Sequence, residues 1–195
     1  MKEIVLASAS PRRSELLKQL NIEFHVSPSE LEEVLDESLR PEELVQKLSF
    51  QKASDVAEKM REQNKTDCLV IGADTVVVKE KVLGKPGDTL QAYKMLESLQ
   101  GAWHEVITGV TLVDVENRKT VSFFEKTRVK MRELNSREID SYIKTGEPID
   151  KAGAYGIQGM GAVLVERIEG CYFNVVGLPL TKLAVMLREF GVEVL

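Results

Sequence analysis

The segment Cys68–Val78 constrains the fold most, because it is a long apolar run with a single carboxylate inside it. Such a run predicts a strand that is buried on both faces. Burying Asp74 without a partner would cost several kcal/mol. We therefore expect Asp74 to hold a metal, to pair with a cation or to mark where the strand enters a cleft. The structural alternative is a satisfied aspartate at a bend near Gly72.

Strand and helix patterns alternate along the chain. The apolar strand Ile4–Ala7 is followed by Ser10, which can cap a helix, and by Pro11, which suits its first turn. That helix is predicted to reach about Leu20, and a second helix starts near Pro41. The other predicted strands cover residues 24–26, 105–115, 120–132 and 162–168, and the other helices cover 90–99, 135 or 136 to about 146, and 178–190. The alternation predicts an α/β protein with a mixed sheet, and the 195 residues fit one domain, 1–195, of two lobes sharing one core.

The composition excludes several classes of protein. A formal net charge of -5 argues against a broad nucleic-acid surface, so an anionic ligand requires a local cluster of basic residues. Cys68 and Cys171 show no paired spacing, which indicates neither a disulfide framework nor a zinc site and favours a cytoplasmic protein. The longest apolar run is much shorter than the roughly 20 residues that span a bilayer, so no membrane segment is predicted.

Two serines and two arginines surround the first strand-to-helix junction. Ser8 and Ser10 precede the helix, and Arg12 and Arg13 lie in its first turn. Helix N-termini offer free N–H groups and partial positive charge to anions, which favours phosphate binding. Ordinary helix capping with solvated arginines is the alternative.

Two lysines are candidates for neutralising a charged ligand. Lys52 lies between Leu48 and Val56 on the apolar stripe of the second helix, so its ammonium is either functional or reaches solvent along that surface. Lys85 stands in Gly84–Pro86, where a loop could present it to a phosphate. An ordinary turn lysine is the alternative for Lys85.

The acidic segment Glu30–Glu37 and the glycine-rich segment Lys151–Gly161 carry the remaining candidates. Carboxylates are hard oxygen ligands that suit Mg²⁺, although most acidic runs are solvated surface. Gln158 has a carboxamide that donates and accepts, so it could read a base edge; a loop shaped for packing alone is the alternative. His25 and His104 are too isolated for a histidine metal site or a catalytic triad.

Four segments, in this order and spacing, resemble the signature segments of the Maf family: residues 6–13 (LASASPRR), 72–75 (GADT), 84–86 (GKP) and 151–159 (KAGAYGIQG). The resemblance extends from Ile4 to about Arg188. It implies an elongated mixed sheet flanked by helices, with two lobes and a cleft, similar to inosine triphosphate pyrophosphatases. It also implies a homodimer that hydrolyses a pyrimidine nucleoside triphosphate, UTP or dTTP, to the monophosphate and pyrophosphate.

The resemblance assigns the catalytic roles. It implies that Asp74 activates the attacking water, with Glu33, Lys52 and Lys85 as supporting residues. It further implies that Glu33 and Asp74 hold a divalent cation, Mg²⁺ or Mn²⁺. One departure is Glu32, where the family commonly has aspartate.

The resemblance also bears on the choice of base. Arg12, Thr75 and Gln158 match the three positions that mark the UTP and dTTP branch. The branch that acts on 7-methyl-GTP has tryptophan, glutamine and glutamate there. The chain is therefore expected to prefer pyrimidine triphosphates.

Two other functions stay open at this point. The opening strand, the arginines and the Gly-Lys-Pro sequence loosely resemble sugar nucleotidyltransferases, which also release pyrophosphate but lack the glycine-rich segment with Gln158. A regulator of cell division that binds nucleotide without turnover follows from the septum-inhibition name of the family.

Overall fold

A computed structural model describes residues 2–32, 34–36 and 38–195, and its centre is a mixed β-sheet. The strands are β1 (Glu3–Leu6), β2 (Phe24–Val26), β3 (Cys68–Val78), β4 (Val82–Leu83), β5 (Trp103–Asp114), β6 (Thr120–Met131) and β7 (Val165–Glu169). They lie in the order β2-β1-β3-β5-β6-β7, and β4 pairs with β3. Parallel pairing of β1 with β2 and β3, and antiparallel pairing of β6 with β7, confirm the predicted mixed α/β class.

The helices follow the predicted start and stop signals closely. They are α1 (Pro11–Lys18), α2 (Pro41–Glu62), α3 (Thr89–Leu99), α4 (Ser136–Ile143), α5 (Tyr172–Val176) and α6 (Leu180–Leu187). The Asp88 side chain caps α3 by accepting from the Gln91 N–H at 2.7 Å, and Asn135 forms a capping box with Glu138 at the start of α4. Within the described part of the chain, no helix has the length and apolar character that a membrane crossing requires.

Three local predictions need correction. Ser10 occupies the N-cap position of α1, but its side chain makes no capping hydrogen bond. The strand predicted from Ala162 begins at Val165, because Gly159–Leu164 forms a 3-10 helix. The single C-terminal helix predicted over 178–190 is α6 followed by a 3-10 turn, Arg188–Phe190, and the preceding short helix α5 was not predicted.

The chain divides into two compact units. Unit 1 comprises Met1–Asp74, Thr108–Glu125 and Gly177–Leu195, and unit 2 comprises Thr75–Ile107 and Lys126–Val176. Strands β3, β5 and β6 each continue from one unit into the other. The extent of a single functional domain over 1–195 stays a prediction.

Each unit has its own hydrophobic core. In unit 1, α2 packs its predicted apolar stripe on the sheet, and one buried cluster consists of Val5, Ala7, Ala53, Val56, Ala57, Met60, Cys68, Val70, Val113 and Val115. In unit 2, buried residues of α3 and α4 pack with the ends of the strands and with Ala154 and Tyr155 of the glycine-rich segment. The glycine-rich segment is therefore part of a core as well as a surface loop.

Candidate active site

Asp74 is paired with Lys52 inside unit 1. Strand β3 runs through Gly72 and Asp74 without a break, which excludes the alternative of a bend. The Lys52 Nζ donates to Asp74 Oδ1 at 2.6 Å, and the two side chains are only 12% and 8% exposed. The burial cost of the carboxylate is therefore offset by a charged hydrogen bond, and Lys52 is more than a lysine that reaches solvent along an apolar surface.

Two glycines allow α2 to approach the sheet closely. A Cβ built on Gly72 would overlap the carbonyl oxygen of Ser49 and lie 2.8 Å from the Ala53 nitrogen. A Cβ on Gly109 would likewise overlap the Val45 carbonyl. Only glycine at these positions permits backbone-to-backbone packing of helix on strand. Because Lys52 follows Ser49 by one turn and Asp74 follows Gly72 on the same face of β3, this packing brings the two charged groups together.

A row of hydroxyl groups fixes α2 on the sheet at the same level. Ser49 Oγ lies 2.9 Å from Thr111 Oγ1, which lies 2.8 Å from Ser122 Oγ. Ser49 and Thr111 are fully buried, so their hydroxyl groups require these partners. The row holds the helix in register with β5 and β6, and it was not predicted from the sequence.

The predicted phosphate-binding junction is an ordered loop. Ser8 is 6% exposed, and its Oγ accepts from the Ser10 N–H at 3.3 Å and from Arg13 Nη1 at 3.1 Å. Arg13 Nε also donates to the Gly177 carbonyl at 2.9 Å. Arg13 thus braces the junction against the start of the last segment of unit 1. Since the hydrogen bonds from Ser10 and Arg13 both use Ser8 Oγ as acceptor, the hydroxyl proton is left for donation to a further group.

This junction and Asp74 lie at the same end of neighbouring parallel strands. In the pairing of β1 with β3, Leu6 is opposite Ile71, and the Ala7 N–H donates to the Ile71 carbonyl at 2.8 Å. The loop that begins at Ser8 therefore follows β1 beside the part of β3 that leads to Asp74. Arg12, half-buried, is in the first turn of α1. Unit 1 thus brings together the serines, both arginines, Lys52 and Asp74.

Unit 2 brings together the Gly-Lys-Pro loop and the glycine-rich segment. The Gly153 N–H donates to the Gly84 carbonyl at 3.0 Å. Gly153 has a φ of +68°, and a Cβ there would lie 2.9 Å from Val77 of β3, so this contact requires glycine. Lys85 is exposed next to the joined backbone, and Thr75 is partly buried in β3.

The glycine-rich segment is anchored in the core of unit 2 by a buried aromatic pair. Tyr155 Oη and His104 Nε2 are 2.6 Å apart, and both residues are at most 5% exposed. Burial, with a smaller contribution from Lys79, lowers the pKa of His104 to about 4, so this histidine is neutral at pH 7. The contact of His104 with Tyr155 joins β5 to the glycine-rich segment. Gln158, three residues after Tyr155, is exposed.

Of the two predicted metal ligands, the described residues include Asp74 alone. Among the described residues, no group of three or more histidine, cysteine, aspartate or glutamate side chains could hold a metal ion. Glu33, the second predicted ligand, lies outside the described residues. Asp74 is a buried carboxylate, and Mg²⁺ is commonly held by one or two carboxylates together with substrate phosphates and water. Asp74 is thus the predicted ligand that the described part of the chain offers to such a cation.

Comparisons with known proteins identify the family of the chain. The family profile described as "Maf-like protein" matches residues 3–190. A protein of Acetivibrio thermocellus named dTTP/UTP pyrophosphatase is 56% identical over 100% of this chain and 98% of its own length. Proteins with the same name from Thermoanaerobacter sp. and Caldicellulosiruptor bescii are 53% and 49% identical over at least 98% of both sequences.

Among solved structures, a HAM1 protein from Coxiella burnetii has a TM-score of 0.55 and covers 97% of this chain and 100% of its own. Its sequence identity is 16%, so the likeness concerns the fold alone. The fold agrees with the expected class.

Proposed function

We propose a function from one premise, which is that this chain belongs to the family of Maf-like proteins. The protein hydrolyses dTTP and UTP to the nucleoside monophosphate and pyrophosphate. The observation that carries the chemistry is the buried Lys52–Asp74 pair at 2.6 Å. The names of the similar proteins support the choice of substrates.

Asp74 is the general base in this proposal. It takes a proton from a water molecule whose oxygen attacks the α-phosphorus. The bond from the α-phosphorus to the oxygen that bridges the α- and β-phosphates breaks, and pyrophosphate leaves in line with the attack. Lys52 orients Asp74 before the reaction through its hydrogen bond to Oδ1 at 2.6 Å.

Basic residues neutralise the triphosphate. The substrate carries about four negative charges, and an acidic protein requires local cations to bind it. Arg12 at the N-terminus of α1 and Lys85 in the Gly-Lys-Pro loop contact phosphate oxygens in this proposal. Ser8 and Ser10 donate hydrogen bonds there. Arg13 acts by bracing Ser8, as its hydrogen bonds to Ser8 and Gly177 suggest.

A divalent cation, Mg²⁺ or Mn²⁺, would be held by Asp74 and the substrate phosphates, with Glu33 as a second protein ligand. When bound, it would neutralise charge on the phosphate oxygens. The same donors also suit Mn²⁺, so the choice of metal depends on supply.

The preference for a pyrimidine comes from polar groups. The Gln158 carboxamide donates and accepts, and in this proposal it pairs with the base edge while Arg12 and Thr75 complete the recognition. A site built around such hydrogen bonds rejects analogues that leave its polar groups unpaired. Purine triphosphates are therefore expected to be poor substrates.

In this proposal the protein acts in the cytoplasm as a homodimer. Residues 1–195 form one catalytic domain, and the protein binds neither nucleic acid nor a membrane. Cys68 and Cys171 are free thiols, and burial raises the pKa of the Cys68 thiol, so it is unreactive. Two free cysteines support a reducing compartment.

The test is pyrophosphate release by the purified protein with Mg²⁺ or Mn²⁺, measured separately on UTP, dTTP, CTP, GTP, ATP and 7-methyl-GTP. Turnover restricted to UTP and dTTP is expected. Release of pyrophosphate only when a sugar phosphate is added would favour a nucleotidyltransferase. Tight nucleotide binding without turnover would favour a regulator of cell division.

A further inference from the structure

The loop that carries Gln158 is held on both sides by side chains from outside it. The Gly156 N–H donates to Tyr142 Oη at 3.2 Å on one side of Gln158. On the other side, the N–H groups of Met160 and Gly161 donate to Glu147 at 3.0 and 3.1 Å. Gln158 thus lies at the exposed tip of a short loop whose two ends are both fixed.

Glu147 is the centre of this arrangement. Its Oε1 accepts from Tyr142 Oη at 3.0 Å and from the Gly161 N–H, and its Oε2 accepts from the Met160 N–H. A Cβ on Gly159, which has a φ of +64°, would lie 2.8 Å from Oε2, so the carboxylate packs directly against the loop backbone. Three donors on one carboxylate are more than a surface glutamate normally receives, which indicates that the loop is built around it.

Tyr142 connects the two ends of the loop. Its hydroxyl accepts from Gly156 and donates to Glu147, and the residue is 5% exposed. Burial raises the pKa of Tyr142 above its ordinary value, so the hydroxyl keeps its proton and remains a donor to Glu147. The path from Gly156 through Tyr142 to Glu147 and Gly161 is therefore a continuous set of hydrogen bonds.

We propose that Glu147 and Tyr142 form a clamp that holds the loop 156–161 in the conformation in which Gln158 reads the base. Both are positioning residues, because they contact the loop backbone and act through Gln158. The inference rests on the proposed function and adds to it the residues that set base selectivity. A loop held in this way loses little conformational entropy when the base binds.

The test compares two clamp variants with two matched controls. Glu147→Gln keeps the shape of the side chain but replaces one acceptor oxygen by an NH₂ group that faces another donor. Tyr142→Phe removes the hydroxyl that joins Gly156 to Glu147. The controls are Glu138→Gln, at a half-buried glutamate that also accepts hydrogen bonds in unit 2, and Tyr93→Phe, at a partly buried tyrosine of α3.

Steady-state kinetics on UTP and GTP give the first readout. Both clamp variants are expected to lower the ratio of kcat/KM for UTP over GTP by about tenfold. The effect falls mainly on KM for UTP, with kcat within roughly threefold of the wild type, because the reacting groups are unchanged. The controls keep the wild-type ratio. A ratio unchanged in both clamp variants would overturn the inference while leaving the proposed function intact.

Amide hydrogen exchange of residues 156–161 gives a second readout that is independent of turnover. Exchange at Gly156, Met160 and Gly161 is expected to accelerate in Glu147→Gln and Tyr142→Phe but not in the controls. Unaltered exchange would overturn the clamp whatever the kinetics show. A wild-type protein without turnover on any triphosphate would overturn the proposed function, and the exchange rates would then decide on the clamp alone.

Discussion

Asp74 with Lys52 and Asp114 with Lys2, both among the described residues of unit 1, are aspartate–lysine pairs that look alike by charge and burial. Asp74 and Lys52 are 2.6 Å apart, with side chains 8% and 12% exposed. Asp114 and Lys2 are 3.0 Å apart, with side chains 6% and 18% exposed. Burial of a carboxylate beside a cation therefore does not by itself distinguish a catalytic group from a structural one.

The two aspartates differ in their other partners. Asp114 ends β5 and accepts from the N–H groups of Glu116 and Asn117 and from the Asn117 side chain, so its oxygens close the turn that leads to β6. Asp74 lies inside β3, and its hydrogen bond comes from Lys52 on α2. Asp114 thus accepts from three donors of its own turn besides Lys2, which favours a structural role, whereas the hydrogen bond from Lys52 uses one oxygen of Asp74.

The largest effect expected from this difference is on turnover. Asp74→Asn keeps the shape of the side chain but removes its ability to take a proton, so kcat on UTP should fall about 10²- to 10⁴-fold. Asp114→Asn is the matched control, since it makes the same change in the other buried pair. It should leave kcat unchanged.

Circular dichroism and thermal unfolding of both variants check that the fold persists. Full activity in Asp74→Asn would remove Asp74 from the role of base. Equal loss of activity in both variants would show that Asp74 and Asp114 do not differ in their effect on turnover.

The sequence was enough to predict β3 and to single out both members of the Lys52–Asp74 pair. The bounds of β3 were predicted correctly, and both Asp74 and Lys52 were singled out because each is a charged residue in an apolar pattern. Their contact could not be predicted, since it depends on how closely α2 packs on β3. That distance is set by Gly72 and by the row of hydroxyl groups, and neither shows in hydrophobic periodicity.

The secondary-structure predictions that were wrong fall on short apolar segments next to glycine or proline. The run after Gly161 reads equally well as a strand or as a buried turn, and here tertiary packing favours a 3-10 helix up to Leu164. Pro179 separates α6 from the short helix α5, which was not predicted, and the last predicted helix, 178–190, is α6 followed by a 3-10 turn. The clamp of Glu147 and Tyr142 was not predicted either, because its partners are backbone N–H groups.

The close packing of α2 on β3 allows a second test. It separates the effect of the position of Lys52 on activity from the effect of helix packing on stability. Gly72→Ala forces α2 away from the sheet at Ser49, one turn from Lys52, and is expected to cost about 1–3 kcal/mol of stability. The displacement of Lys52 from Asp74 should lower kcat/KM by about 10²-fold. Urea unfolding and kinetics on UTP measure the two effects.

Gly109→Ala is the matched control for Gly72→Ala. It produces the same kind of overlap with the same helix, at Val45, about two turns from Lys52. We expect a similar loss of stability with a smaller loss of activity. Equal losses of activity would mean that the glycines act only through the stability of the fold.

The smallest expected effect is a change in acid stability caused by Asp114. Burial raises the pKa of Asp114, but hydrogen bonds from Asn117 and Lys2 outweigh it and hold the pKa below its ordinary value. A carboxyl group with a lowered pKa stabilises the fold above its unfolded pKa of about 3.9, and this stabilisation is lost as the pH falls through the folded value. Asp114→Asn removes this pH-dependent stabilisation, so the free energy of unfolding of the variant at pH 7 should be about 1–3 kcal/mol lower than that of the wild type. Urea unfolding midpoints from pH 7 down to pH 2 should therefore converge for wild type and variant at the acid end. A constant difference over this range would mean that the turn is held by shape rather than by the charge of Asp114.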